Sequence, residues 1–213
     1  SVIMTKPTLV LPKTIRFPEE NEVPMNSSVL ERLRESKNAN IVPGYVFKLK
    51  DDNPDNIDLP FEFYAEINID NPQLWSLIIT LSEETLPENC ALIFGYIDSE
   101  INYGFYENKF EILKYLEDYK TELIHDTLLI WGLIYHDNEN LTEIYVDESK
   151  YLKYWGNNEE KFRNIMNQFN LSEIENLEFI DEYPKVRENI NLHFENITET
   201  GELIETLRQT YVI

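Results

Sequence analysis

TLLIWGLIYHDNENLTEIYV, residues 127–146, decides how the rest of the chain folds. Leu128 to Tyr135 are apolar apart from Gly132. A short unbroken apolar run ended by a turn signal suits a strand buried on both faces. Asp137 to Asn140 are all turn-forming residues, so the chain is expected to fold back there. In Leu141 to Val146, Thr142, Ile144 and Val146 alternate with Leu141, Glu143 and Tyr145, which reads as a second strand with two distinct faces. The hairpin is the expected centre of the sheet.

Outward from the hairpin, Phe61 to Ile69 alternates in the same way. Phe61, Phe63, Ala65, Ile67 and Ile69 face one side, and Glu62, Tyr64, Glu66 and Asn68 the other, giving a half-exposed strand with an acidic outer face. Asn71-Pro72 opens a helix carried by Leu74, Trp75, Ile78 and Leu81. Ala91 to Ile97 reads as a buried strand and Asp98 to Asn108 as a loop or tight hairpin around Gly104. Asn108 starts a helix expected to run through Leu123. Glu148 to Trp155 is expected to form a short helical turn ending at Gly156, and Asn158 to cap a helix that buries Phe162, Ile165, Met166 and Phe169. Ser172 and Glu175 have capping-box spacing, Leu177 to Ile180 looks strand-like, Ile190 to Phe194 suits a strand, and Glu202 to Gln209 a terminal helix.

Nearer the start, Pro7, Pro12, Pro18 and Pro24 exclude a long helix, so residues 1–25 are expected as an extended arm docked on the body. Asn26-Ser27-Ser28 then begins a helix with Val29, Leu30 and Leu33 as its apolar stripe. Residues 26–213 read as one acidic α+β domain with a mixed or largely antiparallel sheet packed by helices.

The 213 residues carry a formal net charge of -22, unevenly spread. Residues 1–60 hold eight Lys/Arg and nine Asp/Glu; residues 61–213 hold the remaining ten bases and 31 acids. No base occurs between Lys50 and Lys109. Such a field repels nucleic acid and anionic membrane and attracts basic proteins, although solubility alone also accounts for it. Aromatic residues make up 13% of the chain, which argues for a packed core over disorder. No apolar run approaches the length of a membrane span and no leader is visible, so a cytoplasmic protein is expected.

Catalytic signatures are thin. The lone Cys90, in PENCALIFGYI, reads as a buried, inert thiol. His125, His136 and His193 lack a second histidine at helical ligand spacing, and His125-Asp126 falls at a helix end where a cationic cap is welcome. Asp51, Asn53, Asp55 and Glu62 match a calcium-loop spacing, but Asn56 stands where the loop needs glycine. No nucleophile elbow or phosphate-binding glycine loop occurs. No catalytic residue, metal site or cofactor is assigned.

Two stretches instead suit partner binding. DSEINYGFYEN interleaves Tyr103, Phe105 and Tyr106 with Asp98, Glu100 and Glu107. DESKYLKYWGNNEE offers Tyr151, Tyr154 and Trp155 between acidic ends, beside the acidic turn carrying Asp137 and Glu139. Aromatics supply contact area at low entropy cost, while acids steer a basic partner. The same three aromatics at helical spacing also suit a core-covering face.

An acidic, single-cysteine α+β chain rich in Asn and Tyr resembles the immunity proteins of bacterial polymorphic-toxin and contact-dependent inhibition systems. LPENCALIFGYI, residues 86–97, resembles the Leu-Pro-then-strand opening of Smi1/Knr4-like immunity domains, without the Asn-Gly-Gly turn that usually follows in that family. The resemblance implies a cytoplasmic inhibitor that covers a toxin's active site, and it transfers no functional residue. The expectation is therefore an acidic binding protein that inhibits a basic partner, such as a toxin or nuclease domain, with no direct contact to nucleic acid or membrane. Two alternatives remain from the residues: a DNA-mimic inhibitor with carboxylates spaced like phosphates, and an enzyme whose site is assembled from distant acids and His136 in a deep pocket.

Overall fold

The computed structural model describes residues 8–25 and 28–213. At its middle, β6 (Leu129–His136) and β7 (Leu141–Val146) form the expected hairpin. The turn closes through Asp137, whose amide donates to the Asn140 carbonyl at 3.0 Å and whose Oδ1 accepts from the Glu139 and Asn140 amides at 2.8 Å each. Five further strands flank the hairpin: β2 (Gly44–Leu49), β3 (Phe63–Asn68), β4 (Asn89–Tyr96), β5 (Asn102–Asn108) and β8 (Leu152–Gly156). The seven strands run in the order β2-β3-β8-β7-β6-β4-β5, and every pairing is antiparallel. A minor two-stranded ribbon joins β1 (Ile15–Arg16) to β9 (Val186–Arg187).

The register sorts the sheet into two faces. One cross-strand row reads Tyr45, Ile67, Leu152, Val146, Trp131, Phe94; the next reads Phe47, Ala65, Tyr154, Ile144, Leu133, Leu92. Apart from the half-buried Phe47, all of these side chains are buried. Helices cover this face: α2 (Asn71–Thr85), α3 (Lys109–Glu117), α4 (Lys120–His125), α5 (Glu159–Gln168) and α6 (Thr200–Tyr211). Their apolar stripes, such as Leu74, Leu77, Ile78 and Leu81 of α2, share the core cluster with the strands. Tyr154 stacks on Phe63 and on Phe162, and Phe63 and Phe162 meet at a tilt, with centroids 5.0–5.8 Å apart. The result is one α+β domain with a largely antiparallel sheet centred on residues 127–146.

Caps act where the sequence places them. Asn108 Oδ1 accepts from the Phe110 and Glu111 amides, and Asn158 Oδ1 from the Lys161 amide. The described part of the arm is docked: Thr14 Oγ1 donates to the His125 carbonyl, and Asn71 N donates to the Val10 carbonyl at 2.9 Å. Helix α1 (Ser28–Glu35) follows. The expected start at Asn26-Ser27 and arm residues 1–7 lie outside the described residues.

Several local expectations are corrected. The helix expected from Asn108 to Leu123 breaks at Asp118-Tyr119 into α3 and α4. The helical turn expected at 148–155 is instead a hairpin turn followed by β8: Lys150 adopts φ 62°, and its amide donates to the Asp147 carbonyl. A left-handed residue after a tight turn returns the chain antiparallel and excludes a helix there. Neither Leu177–Ile180 nor Ile190–Phe194 forms a strand; single 3₁₀ turns occupy Ile180–Glu182 and Ile190–Leu192. No helix follows Ser172, because its carbonyl is taken by the Tyr45 amide at 3.0 Å.

Candidate partner-binding surface

The second face of the sheet carries a different chemistry. One row reads Lys48, Tyr64, Trp155, Glu143, Ile134, Ala91, Tyr106; the next reads Val46, Glu66, Lys153, Tyr145, Gly132, Ile93, Tyr103. Tyr64, Glu66, Glu143, Tyr145, Lys153 and Trp155 are all half-buried. Segment 173–182 roofs one corner, packing Leu177 and Phe179 against Tyr151. A groove of ≈ 610 Å³ opens between that roof and the strands, lined by Tyr64, Glu66, Tyr151, Ile174 and Asp181 among others. The remainder is an aromatic surface around buried Ala91 and Ile93, with Glu143 and Lys153 as its charged groups.

Polar groups on this face are mostly engaged. The Tyr64 hydroxyl donates to Glu66 at 2.6 Å, and its ring lies 4.9 Å from that of Trp155. Lys153 is 3.6 Å from Asp147 and lies over the Tyr145 and Tyr151 rings. Glu143 is the exception. Its neighbours across the ladder are Trp155 and Ile134, and its carboxylate makes no hydrogen bond or ion pair among the described residues. Burial pushes its carboxyl up to about 7. The nearby cation, Lys153, is turned to Asp147 instead.

The residues anticipated from sequence are dispersed. Strand alternation sends Tyr154 into the core under α5 and Trp155 to the open face, while Tyr151 is buried beneath the roof. The three therefore form no single outward cluster, because a strand with period two replaces the helical turn. Asp98 and Glu100 are exposed at the β4–β5 tip, and Asp137 and Glu139 at the β6–β7 turn; antiparallel pairing of β4 with β6 puts these at opposite ends of the sheet. Asp137 is also occupied. Its Oδ2 accepts from the Tyr135 hydroxyl at 2.6 Å, and these bonds hold its carboxyl below the usual range. Tyr103 and Tyr106 lie at the margin of the open face, 61% and 46% exposed. Glu107 is exposed on the helix side, near Tyr211. His136 is exposed at the end of β6, its amide donating to the Tyr106 hydroxyl at 2.8 Å.

Sequence reasoning missed Tyr64, Glu66, Glu143, Tyr145 and Lys153 as one surface. The signal was present in the alternation of residues 61–69 and 141–146. What joins them is the placing of β8 between β3 and β7, which local periodicity does not encode.

Other clusters serve structure. Among the described residues, Asp147, Glu148 and Asp181 bring carboxylate oxygens within 4.8 Å of one another. Each has a cation: Lys153 at 3.6 Å, Arg187 at 3.6 Å and Lys185 at 3.3 Å respectively. Burial, together with the charge of Asp181, raises Asp147, while hydrogen bonds from Ser149 and Asp147 help keep Asp181 low. The group rivets the β7–β8 turn to the 181–187 segment. The calcium-spaced loop at Asp51 is exposed and folded by side-chain-to-amide turns, Asp51 with Asn53 and Asn53 with Asp55. Cys90 is buried and its thiol pushed up to about 11 by that burial, which keeps it protonated. His125 is no cationic cap. Burial, then Lys13, pushes its imidazole down to about 4, and Nδ1 faces the Lys13 amide at 3.3 Å.

No helix among the described residues is long and apolar enough to cross a membrane. No family model matches the chain, and neither a curated protein nor a solved structure matches it.

Proposed function

We propose that this protein binds a basic protein partner on the open face of its sheet and inhibits that partner, in the manner of a bacterial immunity protein. The observation that carries the proposal is Glu143: a half-buried carboxylate, flanked by Trp155 and Ile134, with no cation paired to it among the described residues. A buried charge is tolerated when it is paired, so an arginine or lysine from outside would lower the cost of holding it ionised. Tyr64, Tyr145 and Trp155 supply the rigid aromatic area on which such a side chain packs. The charge of -22 adds long-range attraction for a basic partner.

The test is recovery of the bound protein from the native host, followed by variants. Glu143→Lys is expected to abolish binding and inhibition, while Glu117→Lys, an exposed change on the helix side, leaves both within about twofold. Equal effects of the two changes would contradict the proposal.

A further inference from the structure

The two edges of the main sheet are treated differently. The outer edge of β2 is covered by the chain itself, through Tyr45 N to the Ser172 carbonyl at 3.0 Å and Ile174 N to the Tyr45 carbonyl at 2.9 Å. The outer edge of β5 has no neighbouring strand among the described residues. Uncovered edges are usually blunted by lysine, proline or an inward charge. Asn102–Asn108 contains no lysine or proline, and Glu107 is its only charge. A bulge sets Gly104 and Phe105 opposite Leu92, which adds local twist but leaves paired residues on either side. Three aromatics stand exposed along this short strand, Tyr103, Phe105 and Tyr106, with Phe110 just beyond it. Scattered apolar residues need no explanation, but a run of them on an open edge does.

We infer that the outer edge of β5 is a strand-addition site that takes an extended, basic segment of a partner protein as an eighth strand. Main-chain hydrogen bonds would supply affinity, and alternate side chains would be read on the two faces. The register puts Tyr103 and Tyr106 on the open-face side, where apolar partner residues fit, and Glu107 on the helix side, where a cation fits. Charge selects the occupant. No base lies between Lys50 and Lys109, and Asp98 and Glu100 mark the adjoining tip. A second copy would bring another net charge of -22 to the same edge, so pairing of two copies is disfavoured. The inference rests on the reading of the protein as a binder of basic proteins and adds the mode of docking.

The probe is a nine-residue peptide of alternating lysine and valine, titrated into the ¹⁵N-labelled chain at low salt. An analogue N-methylated at alternate amides is the control. The expected result is at least tenfold slower amide exchange within Tyr103–Glu107 with the unmethylated peptide, lost with the analogue. Equal responses to both peptides, or no binding, would overturn the inference. Shifts confined to Glu143, Tyr145 and Trp155 would overturn it too, yet leave the open-face proposal standing. A peptide-free, concentration-dependent dimer in sedimentation that protects β5 would assign the edge to a second copy and equally overturn it. If the partner recovered from the host also bound Glu143→Lys unchanged, the broader proposal would fail separately.

Discussion

Two desolvated charges, one buried and one half-buried, show how local environment separates structure from function. Lys109 is buried, and its ammonium donates to the carbonyls of Ser82 at 3.1 Å, Glu83 at 2.7 Å and Leu86 at 2.6 Å. It closes the C-terminal end of α2, adding a donor to the Ser82 carbonyl, which also accepts from the Leu86 amide at 3.2 Å, and supplying one to the Glu83 and Leu86 carbonyls beyond it. Burial lowers its pKa, and the three acceptors hold the charge in place. Lys109→Met is expected to destabilise by about 2–4 kcal/mol in urea unfolding, because it strands the Glu83 and Leu86 carbonyls. A loss under about 0.5 kcal/mol would show that water replaces the ammonium. Glu143 is the converse, a desolvated charge given no partner. Lys109 was not legible as a cap, since its acceptors precede it by more than twenty residues and meet it only once β4 and β5 bring α3 beside α2.

At the scale of elements, β6 is held to β7 by a close fit at Gly132. A Cβ added there would lie 2.2 Å from the Ile144 carbonyl oxygen and 3.1 Å from Tyr145 Cα, both backbone atoms. Backbone cannot swing aside as a flexible side chain can, so Gly132→Ala must part the central strands. The expected loss is at least about 3 kcal/mol, read from the denaturant midpoint. A variant as stable as the parent would contradict the central pairing. The hairpin itself was legible because TLLIWGLIYH, DNEN and LTEIYV each carry one unambiguous signal. The stretch 148–156 was not. Tyr151, Tyr154 and Trp155 fit a helical stripe, and only the turn at Asp147–Lys150 and pairing with β3 impose the alternation that parts Tyr154 from Trp155.

For the whole molecule, the sequence showed the acidity and the α+β class, but not which sheet face lacks a helical cover. That depends on the order of strands far apart in the chain. The arm offers a test of the assembled structure. His125 titrates near 6.5 when unfolded and near 4 when folded, with Lys13, Lys150 and His193 around it. The unfolded chain therefore binds the proton first. The stabilisation is complete above about pH 6.5 and is lost as pH falls through 4, on the order of 3 kcal/mol. Hydrogen exchange within residues 13–16, corrected for intrinsic rates, is expected to accelerate between pH 7 and pH 4.5. His125→Phe is expected to remove much of that change; an unaltered profile would place the acid sensitivity elsewhere.

The open face is the central claim, and the titration of Glu143 tests it most directly. Its folded pKa is raised, so its contribution to stability is greatest below about pH 4.5 and is lost as pH rises through 7. An external cation should reverse that. Carboxyl ¹³C NMR of the free protein should give a value near 7, and addition of the basic partner should drive it below the ordinary carboxylate range. An ordinary value in the free protein, or a raised value that the bound partner leaves unmoved, would contradict the account.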